Sequence, residues 1–420
     1  MFPGMKVRIH RNKVIIVTIV FCIVLFLSQT MRDRDYSRFQ KYIPSINYSA
    51  VIDPYQIVLS RGVFKNEEYR KTKTILLFTT HFYSDIWKGL HPDLLKDYTS
   101  NTKCRIQECS VTYDKKKIST ADVVVFHGVD FGFRNFTSHH FHALSANRPS
   151  YQRWLFWMHE TPVYYPESEN YNNLFNWTMT FSRQSDIYHP YYSYTRLNSE
   201  DRPSKYNHAT GKSKAVAWMV SRCGLIRSEY VIELQNYVDV TVYGLCGTSF
   251  NNMGGICSKT ESECMQELTQ YKFYLSFENS FCEDYVTEKY YKLGLMYGLV
   301  PIVMGANYDD MNAIPGSYID VSKFSSIKEL GDYLNYLDTH DDIYNLYFEW
   351  RNHFEVTDSI DKICLICQAA HNEERKRQSY KDFNAFWSSR NLCDPYEKVK
   401  QKLNHQIQES KSNRQRNNVN

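Results

Sequence analysis

The stretch that decides the fold runs from Phe273 to Gly305 and reads FYLSFENSFCEDYVTEKYYKLGLMYGLVPIVMG. Its apolar run at Phe273–Phe277 predicts a buried strand, the pattern over Val286–Tyr297 predicts a helix, and Val300–Met304 predicts a second buried strand. Strands that are apolar throughout and alternate with helices are typical of parallel βαβ units, whose sheet is covered on both faces. The segment therefore predicts an α/β fold.

The same alternation continues on both sides of this segment. A capping box at Ser326 and Glu329 precedes a further amphipathic helix over 327–337. The other predicted elements are strands at 74–80, 121–127, 154–158, 177–181, 215–220 and 238–243, and helices at 225–237 and 262–270. A polar stretch at 189–213, rich in Tyr, Ser and Pro, predicts an interdomain linker. Two α/β units separated by a linker predict a ligand cleft between them, at the carboxyl ends of the strands.

We accordingly divide the chain into successive parts. The predicted parts are a cytoplasmic tail (1–13), a transmembrane signal-anchor (14–31), a stem (32–69), a first domain (70–205), a second domain (206–370), a C-terminal segment (371–396) and a disordered basic tail (397–420). Prolines and the lack of an apolar period predict the stem, and the Lys, Gln, Asn and Arg content predicts the tail.

The N-terminus predicts the compartment. Val14–Met31 is free of charge and just long enough to cross most of a hydrocarbon core of about 30 Å. Lys6, Arg8, Arg11 and Lys13 precede it, so the positive-inside rule keeps the N-terminus cytoplasmic. A cleaved signal peptide is the alternative, although no small-x-small cleavage site follows; a buried core helix is disfavoured by the adjacent basic cluster. We expect a single-pass type II protein.

Cysteine usage and glycosylation motifs agree with this topology. Of 11 cysteines, Cys22 lies in the predicted anchor, and the ten that remain form an even number that favours disulfides in an oxidising lumen. Three sequons begin at Asn47, Asn135 and Asn176. A short tail, one anchor and a large lumenal part are usual for Golgi enzymes, so we expect the Golgi membrane as location.

Composition excludes other classes of protein. The 420 residues are 43% hydrophobic and 15% aromatic, which excludes a disordered tail protein and a mini-protein held by disulfides. Because 50 Lys+Arg are balanced by 46 Asp+Glu, no strong field for nucleic acid exists, and we expect no nucleic-acid partner.

The turn inside the opening segment is rich in polar residues. Glu278, Asn279, Glu283 and Asp284 follow the predicted strand, and Glu288 and Lys289 lie in the first turns of the predicted helix. Helix starts attract phosphate, whereas a lysine there opposes the helix dipole, so Lys289 indicates a nearby anion. The alternative is a solvated helix face. The absence of a glycine-rich phosphate fingerprint or Walker pattern counts against ATP and dinucleotides.

The opening segment, with GLVPIVMGANYDD and IPGSYIDV after it, resembles the donor-site signature of the α1,3/4-fucosyltransferase family. The likeness extends through VAWMVSRCGLIRSEYVIEL (216–234), LFNWTMTFSRQSDIYHPY (174–191) and FWMHETP (156–162), and forward to Cys364 and Cys367. It implies a GT-B architecture of two facing Rossmann-like domains. It also implies that the first domain binds mainly the acceptor and the second binds GDP-fucose.

The resemblance also implies site residues. Glu160 matches the position of the family's acidic residue before a proline, and a carboxylate at a strand end is suited to act as general base. The alternatives are a glutamate that caps the turn before Pro162, or His159 as the base. Arg227 and Lys289 match diphosphate-binding positions, although Arg227 could be an ordinary surface residue. The expected nucleotide-sugar pocket is completed by Tyr274, Glu278, Asn279, Tyr285 and Glu288, the last of which accepts from sugar hydroxyls.

One position departs from the family pattern. Ser221–Arg222 stands where relatives commonly carry Ser-Asn, which adds a cation near the expected donor loop. The added charge either strengthens nucleotide binding or points to solvent.

We expect no essential metal, with stimulation by a divalent ion left open. Three histidines in Ser138–His142 lack a second cluster at zinc spacing, Asp239 stands alone, and the family needs no metal to hold its donor.

The resemblance further implies that Cys104 and Cys109 pair with Cys364 and Cys367. The other lumenal cysteines, whose pairing the sequence leaves open, are Cys223, Cys246, Cys257, Cys264, Cys282 and Cys393.

The expected activity is inverting transfer of L-fucose from GDP-β-L-fucose to O3 of N-acetylglucosamine in N-glycans or other glycoprotein glycans. The Cys223–Gly224 pair is more similar to the core N-glycan branch of the family than to the Lewis branch, and this resemblance implies the innermost residue of N-glycans as acceptor. The alternatives are Lewis-type fucosylation of lactosamine antennae and an inactive glycan-binding protein on the same fold.

Overall fold

The computed structural model describes residues 34–51, 53, 71–87, 89–94, 98–102, 104–133, 144–165, 171–198, 206–255, 261–308, 312–358, 361–372 and 378–417. The strands are β1 Lys73–Leu77, β2 Cys109–Thr112, β3 Val123–His127, β4 Arg153–Met158, β5 Trp177–Thr180, β6 Ile187–Tyr188, β7 Tyr192–Arg196, β8 Lys214–Met219, β9 Val240–Tyr243, β10 Met253–Gly255, β11 Tyr271–Phe277, β12 Val300–Met304, β13 Ile319–Asp320 and β14 Phe354–Asp358. The α-helices are α1 Tyr98–Asn101, α2 Gly128–Phe133, α3 Ile226–Leu234, α4 Glu261–Leu268, α5 Ile327–Thr339, α6 Asp341–Asn345, α7 Lys362–Ala370, α8 Ser389–Leu392 and α9 Glu397–Asn417.

Two six-stranded parallel sheets organise this described part of the chain. The first has the order β2-β1-β3-β4-β5-β6, and apolar clusters cover both of its faces. The second has the order β10-β9-β8-β11-β12-β13, which is the 3-2-1-4-5-6 order of dinucleotide-binding folds. The predicted α/β class and GT-B architecture are confirmed.

The predicted linker is partly a β-ribbon. Within 189–213, β7 pairs antiparallel with β14, and residues 199–205 lie outside the described part. Apolar residues that a linker would expose are instead covered, since Tyr194 is fully buried against Phe354. The ribbon lies next to the second domain's core cluster around Tyr290 and Leu295.

Two segments near the C-terminus belong to the first domain, so the predicted boundary at residue 370 is wrong. Helix α7 packs its apolar side against β1 and β6, with Ile363 and Ile366 buried. Further along, Phe383 and Trp387 pack against Phe156 of β4. The sequence of an apolar helix predicts that the helix is buried, but it does not predict which sheet the helix covers. Here α7 covers one face of the first sheet.

The predicted disordered tail is wrong for residues 397–417, which form α9 against α3 and α5. Its buried residues, Leu403, Gln406, Ile407 and Ser410, recur at helical spacing. The two polar ones are hydrogen-bonded: Gln406 donates to the Phe324 carbonyl at 2.7 Å, and Ser410 donates to the buried Glu233 carboxylate at 3.0 Å. Because two of these four buried residues are polar and most of the segment is hydrophilic, the sequence does not reveal the buried face of this helix.

The described part of the predicted stem, 34–51 and 53, packs on the second domain rather than acting as a free spacer. Phe39 is buried between Tyr333 and Tyr336, and Arg38 pairs with Asp332 at 2.8 Å. The predicted anchor, 14–31, lies outside the described residues. Every helix that the structure does describe is too short or too polar to serve as a membrane span.

Asn47 and Asn176 occupy different environments, while Asn135 lies outside the described residues. Asn47 is exposed, and its side-chain oxygen accepts from the Ser49 amide at 3.2 Å. Asn176 is half-buried, and the amide nitrogen to which a glycan would attach donates to the Gln378 carbonyl at 2.7 Å. Of these two predicted glycosylation positions, Asn47 is the more accessible.

The segment that decides the fold keeps its two strands, but its helix differs from the prediction. A π-helix spans Lys289–Leu295 in place of an α-helix over 286–297. The start is delayed because the amide and hydroxyl of Thr287 bond Glu278. A Cβ on Gly294 would come within 2.9 Å of the Pro301 ring, so this glycine allows the helix to approach β12 closely. Single π-turns are frequent at functional sites.

Candidate active site

Loops from the two sheets meet at the carboxyl ends of β4 and β11. Thr161 Oγ1 and Ser280 Oγ lie 3.0 Å apart, and the Tyr164 hydroxyl donates to the Asn279 carbonyl at 3.0 Å. Residues 278–289, called the donor loop below, thus contact the loop that follows β4. The two sheets present their ligand-binding edges to each other, as expected for a two-domain α/β protein.

Glu160 follows β4 directly and is half-buried at this junction. Burial raises the pKa of its carboxyl, the positive charge of Lys289 counteracts this, and Glu288 and Glu278 add to the increase. No hydrogen bond joins its carboxylate to another of the described residues, so both oxygens are available to a ligand. A carboxylate that is partly desolvated and unbonded suits a general base, and that role for Glu160 stays a prediction.

His159 is not suited to be the base. It is packed between the rings of His189 and Tyr191, and its Nε2 lies 2.9 Å from the His189 carbonyl, so that nitrogen carries the proton. Burial lowers the pKa of His159 to about 3. The ring is therefore neutral and held in place, which leaves Glu160 as the available proton acceptor on this loop.

The donor loop is arranged around Glu278, which is fully buried. Its carboxylate accepts from the Thr287 amide and hydroxyl, both at 2.8 Å, and pairs with Lys289 at 3.1 Å. Burial raises the pKa of Glu278. Burial lowers the pKa of Lys289, but the negative charges of Glu278 and Glu288 have the larger combined effect, so the pKa of Lys289 is raised. The lysine is thus a fixed cation shared by two carboxylates, not part of a solvated helix face.

Glu288 is the accessible member of this group. Its side chain is 44% exposed and lies 3.1 Å from the Lys289 ammonium, which helps to hold the pKa of Glu288 below its ordinary value although burial opposes this. An ionised, accessible carboxylate beside Lys289 fits the expected acceptor of sugar hydroxyl hydrogen bonds.

Arg227 lies in the first turn of α3 and is buried, so its interpretation as a surface residue is wrong. One terminal nitrogen donates to the Phe277 carbonyl at 2.8 Å and the other to the Arg222 carbonyl at 3.3 Å. Its buried Nε has no hydrogen-bond partner among the described residues. The helix start also lacks a side-chain cap, since Leu225 occupies the N-cap. Unpaired donors at the end of a parallel strand suit an anionic ligand.

The remaining predicted pocket residues differ in accessibility. Asn279 has a buried side-chain oxygen without a partner among the described residues. Tyr285 is buried edge-on to Phe181, 4.9 Å between ring centroids, and burial raises the pKa of its hydroxyl. Tyr274 is fully buried in a cluster with Tyr243 and Tyr271. Asn279 retains an unused acceptor, whereas Tyr274 is part of the core rather than an open pocket wall.

The roles of Asp284 and Arg183 were not predicted from the sequence, although both residues lie inside the quoted motifs. The Asp284 carboxylate accepts from the Arg183 amide and Nε, both at 2.8 Å, and from Asn312 at 3.0 Å. Asp284 is buried and adopts φ +63°, a left-handed conformation that is rare outside glycine. The pair joins the loop after β5 to the donor loop and fixes the two domains against each other.

A histidine and aromatic cluster lines the first domain's edge of the cleft. His127 and Asp130 are both buried, with Nδ1 and Oδ2 2.5 Å apart. Asp130 also accepts from the amides of Phe82 and Tyr83 at 2.8 Å, which stabilises positive φ angles of 48° and 66°. Phe82 and Tyr83 are exposed, so this loop presents two aromatic rings to solvent. The sequence did not predict this cluster, because its members come from separate segments of the chain.

Four disulfides lie within the described residues. Cys104–Cys364 and Cys109–Cys367 confirm the pairing implied by the resemblance. Cys223–Cys246 joins the loops after β8 and β9, and Cys282–Cys393 ties the donor loop to the first domain. Two of these bonds therefore constrain loops that form the cleft.

One cluster among the described residues has metal-ligand geometry, namely Cys109, Cys367 and His371. Both cysteines are joined to each other in a disulfide, so they offer no thiolate. The histidines of Ser138–His142 lie outside the described residues, and Asp239 accepts a hydrogen bond from Asn252 at 2.9 Å.

Comparison with known proteins identifies the family. Residues 209–387 match the model of the glycosyltransferase family 10 (fucosyltransferase) C-terminal part, and residues 70–192 match the model of the fucosyltransferase N-terminal part. Glycoprotein 3-alpha-L-fucosyltransferase A of Drosophila melanogaster is 36% identical over 77% of this chain and 62% of its own length. Alpha-(1,3)-fucosyltransferase C of the same organism is 28% identical over 81% of this chain and 84% of its own.

Human alpha-(1,3)-fucosyltransferase 4 is 35% identical over 59% of this chain, and the match spans about half, 47%, of that relative's length. Among solved structures, an alpha1,3-fucosyltransferase with GDP aligns at 17% identity and TM-score 0.42, over 85% of this chain and 96% of its own. A TM-score this low carries no argument about the fold. The fold assignment rests instead on the strand order of the two sheets described above. The two family models together match most of residues 70–387, and the chain therefore belongs to the fucosyltransferases of glycosyltransferase family 10.

Proposed function

We propose that this protein transfers L-fucose from GDP-β-L-fucose to O3 of N-acetylglucosamine in glycoprotein glycans, with inversion at the anomeric carbon. The observation that carries the proposal is Glu160, an unbonded, half-buried carboxylate that faces the fixed cation Lys289 across the junction of the two domains. A base on one side and positive charge on the other are what a single displacement from a nucleotide sugar requires.

The reaction balances without a second acid. The acceptor O3 forms a bond to the fucose anomeric carbon while the bond from that carbon to the β-phosphate oxygen breaks, and that oxygen keeps the electron pair. Glu160 takes the O3 proton. GDP is already a good leaving group, so cations at Arg227 and Lys289 replace the general acid that glycosidases need. No metal ion is needed for this step.

The residues around Glu160 support the following assignment of tasks. Lys289 is fixed by Glu278, Arg227 offers an unpaired Nε, and Glu288 is exposed and ionised beside them. Donor groups of the second domain therefore hold the diphosphate and sugar. The first domain supplies Glu160, together with exposed Phe82 and Tyr83, whose rings suit the apolar faces of an acceptor sugar.

For the acceptor, we propose the innermost N-acetylglucosamine of N-glycans. The 36% identity to the Drosophila relative named glycoprotein 3-alpha-L-fucosyltransferase A supports a glycoprotein acceptor, and the likeness of Cys223–Gly224 to the core N-glycan branch of the family favours the innermost residue. Lactosamine antennae are the second candidate, since they too carry O3 of N-acetylglucosamine.

The acceptor is tested by incubating the purified chain with GDP-fucose and either a trimannosyl N-glycopeptide or lactosamine. We expect fucosylation of the glycopeptide, read by mass and fragment ions of the core. Faster transfer to lactosamine would reassign the acceptor. GDP-fucose binding without transfer to either would favour the inactive glycan-binding alternative.

We also propose a Golgi membrane location with the catalytic part in the lumen. Cys104–Cys364 and Cys109–Cys367 belong in an oxidising compartment, and Asn47 is an accessible sequon. Protease digestion of intact and detergent-opened Golgi vesicles tests this: the domains should be protected until detergent is added. Digestion in intact vesicles would contradict the lumenal orientation.

A further inference from the structure

Arg222 stands out among the cations of the cleft by how its side chain is held. It lies in the loop after β8, and its guanidinium carbon is 3.5 Å from the ring centroid of Tyr164, which belongs to the first domain. The arginine is exposed although it contacts both domains. A guanidinium stacked on an aromatic face is held in place while the N–H groups at its edge remain directed outward.

The other cations of the cleft are already engaged. Lys289 is shared by Glu278 and Glu288, Arg183 is bound to Asp284, and Arg227 donates through both terminal nitrogens to backbone carbonyls. Arg222, in contrast, forms neither an ion pair nor a donated hydrogen bond with any of the described residues. Its charge and its N–H donors are therefore unused in the protein alone.

Arg222 lies close to the donor groups, and its charge acts on the proposed base. Its carbonyl accepts from Arg227, and the hydroxyl of its stacking partner Tyr164 bonds the Asn279 carbonyl of the donor loop. The charge of Arg222 also reaches Glu160, whose pKa it lowers against the larger, opposing effect of burial. An anion bound at Arg227 would meet Arg222 from the side of the first domain.

We propose that Arg222 is a further donor-binding residue, which donates to the diphosphate of the nucleotide sugar while Tyr164 holds its guanidinium across the cleft. The proposal deepens the function proposed above and rests on it. The arginine is stacked on an aromatic ring of the opposite domain. Planar, multidentate donation to phosphate oxygens is the property that distinguishes arginine from both asparagine and lysine.

The test measures GDP affinity and steady-state kinetics for the intact protein and for Arg222→Asn, Arg222→Lys and Arg390→Asn. Arg390 is the control, because it is an exposed arginine in α8 that stacks on no aromatic ring of the described residues, in a helix that contacts the donor loop through the Leu392 carbonyl and the Glu283 amide. Arg222→Asn should weaken GDP binding about tenfold, which corresponds to about 1.4 kcal/mol, because the variant loses a hydrogen bond from a charged donor to phosphate. The KM for GDP-fucose should rise similarly while the acceptor KM and the melting temperature stay unchanged.

Two variants of Tyr164 test whether its ring holds the Arg222 guanidinium in place. Tyr164→Leu removes the aromatic face and should weaken GDP binding in the same direction as Arg222→Asn, by a smaller factor. Tyr164→Phe keeps the face and loses only the bond to the Asn279 carbonyl, so it should bind GDP nearly as the parent protein does. Arg222→Lys should recover part of the affinity lost in Arg222→Asn, because it restores charge without the planar donor array.

The pH profile gives a readout that a structural role would not change. The groups whose charges act on or respond to Glu160 are Lys289, Glu288, Glu278, Arg222, Tyr165, Tyr191 and Tyr285. Removing the cation Arg222 should move the acid limb of kcat/KM upward by about half a pH unit. Arg390→Asn should leave the limb in place.

The outcomes separate the two proposals. If the parent protein neither binds GDP nor transfers fucose, the proposed function fails and this inference fails with it. If the parent protein transfers fucose and Arg222→Asn binds GDP with unchanged affinity, only the role of Arg222 is overturned. A rise in acceptor KM without a change in GDP affinity would also overturn it and would assign Arg222 to the acceptor.

Discussion

Glu160 and Glu278 are carboxylates on opposite sides of one cleft, and burial raises the pKa of both. Glu278 accepts from the amide and hydroxyl of Thr287 and pairs with Lys289. Glu160 makes no hydrogen bond to another described residue. The same residue type therefore has two different roles: one carboxylate fixes a loop and its cation, and the other remains available to take a proton.

The difference shows that a shifted pKa alone does not identify a catalytic group. The pKa of a carboxyl group is shifted in structural ion pairs as well as in catalytic sites. The hydrogen-bond partners of the carboxyl group are therefore needed to tell the two apart. By that criterion the second domain contains a fixed charge arrangement, and the first domain contains the unbonded carboxylate that we propose as the base. Variants at the two glutamates are the direct way to break this comparison.

Glu160→Gln should have the largest effect. The amide cannot accept the acceptor's proton, so turnover should fall by about a thousandfold, within the range of general-base catalysis, while GDP affinity and melting temperature stay unchanged. Turnover is measured with saturating GDP-fucose and glycopeptide, and GDP affinity by calorimetry. Turnover equal to that of the parent protein would remove Glu160 as the base.

Lys289→Ala should follow. Loss of the fixed cation should lower kcat/KM for GDP-fucose about a hundredfold, as expected when one donor that stabilises the charge of the leaving group is removed. Lys323→Ala, at a side chain that is 72% exposed, is the matched control. Steady-state kinetics with each substrate varied in turn separate the effects, and a change confined to the acceptor KM would contradict the role of Lys289.

Glu278→Gln should affect stability more than chemistry. Removing a fully buried charge that pairs with Lys289 should lower the free energy of unfolding by about 1–3 kcal/mol, while turnover falls less than tenfold. Denaturant unfolding of this variant beside Glu160→Gln compares the two glutamates under one substitution. A stability loss at Glu160 and none at Glu278 would reverse our assignment.

The pH dependence should be the smallest of these effects. Burial raises the pKa of Glu160 above its ordinary value of 4.5, and the base acts as the carboxylate. The value of kcat/KM should therefore decline as the pH falls through that raised pKa, with an acid limb above 4.5. A rate that stays constant down to pH 4.5 would indicate that no such carboxyl controls the reaction.

Local patterns in the sequence were sufficient for the sheets and for much of the site. The apolar runs of β4, β11 and β12 predicted buried parallel strands, and a carboxylate directly after β4 had to lie at the ligand-binding edge. Glu160 was selected because it matches the acidic position of the fucosyltransferase family, and its place after a strand agreed with that choice. The donor loop was found in the same way, because it follows a central strand.

What sequence reasoning missed depends on contacts between distant segments. Helix α7 is visibly apolar, yet nothing local indicates that it covers the first sheet rather than the second. Helix α9 looked disordered because half of its buried stripe is polar and is satisfied by Glu233 and the Phe324 carbonyl. Asp284 looked like one acid among several, since its left-handed backbone and its bond to Arg183 exist only in the folded chain.

The central claim is a single displacement that inverts the anomeric carbon, with Glu160 as base. Its most direct test is NMR of the product formed from GDP-β-L-fucose and a trimannosyl N-glycopeptide by the purified protein. The account predicts an α-linked fucose on O3 of the innermost N-acetylglucosamine. A β-linked product would contradict the displacement mechanism, and no fucosylated product from any glycan acceptor, with GDP-fucose bound, would contradict the proposed activity.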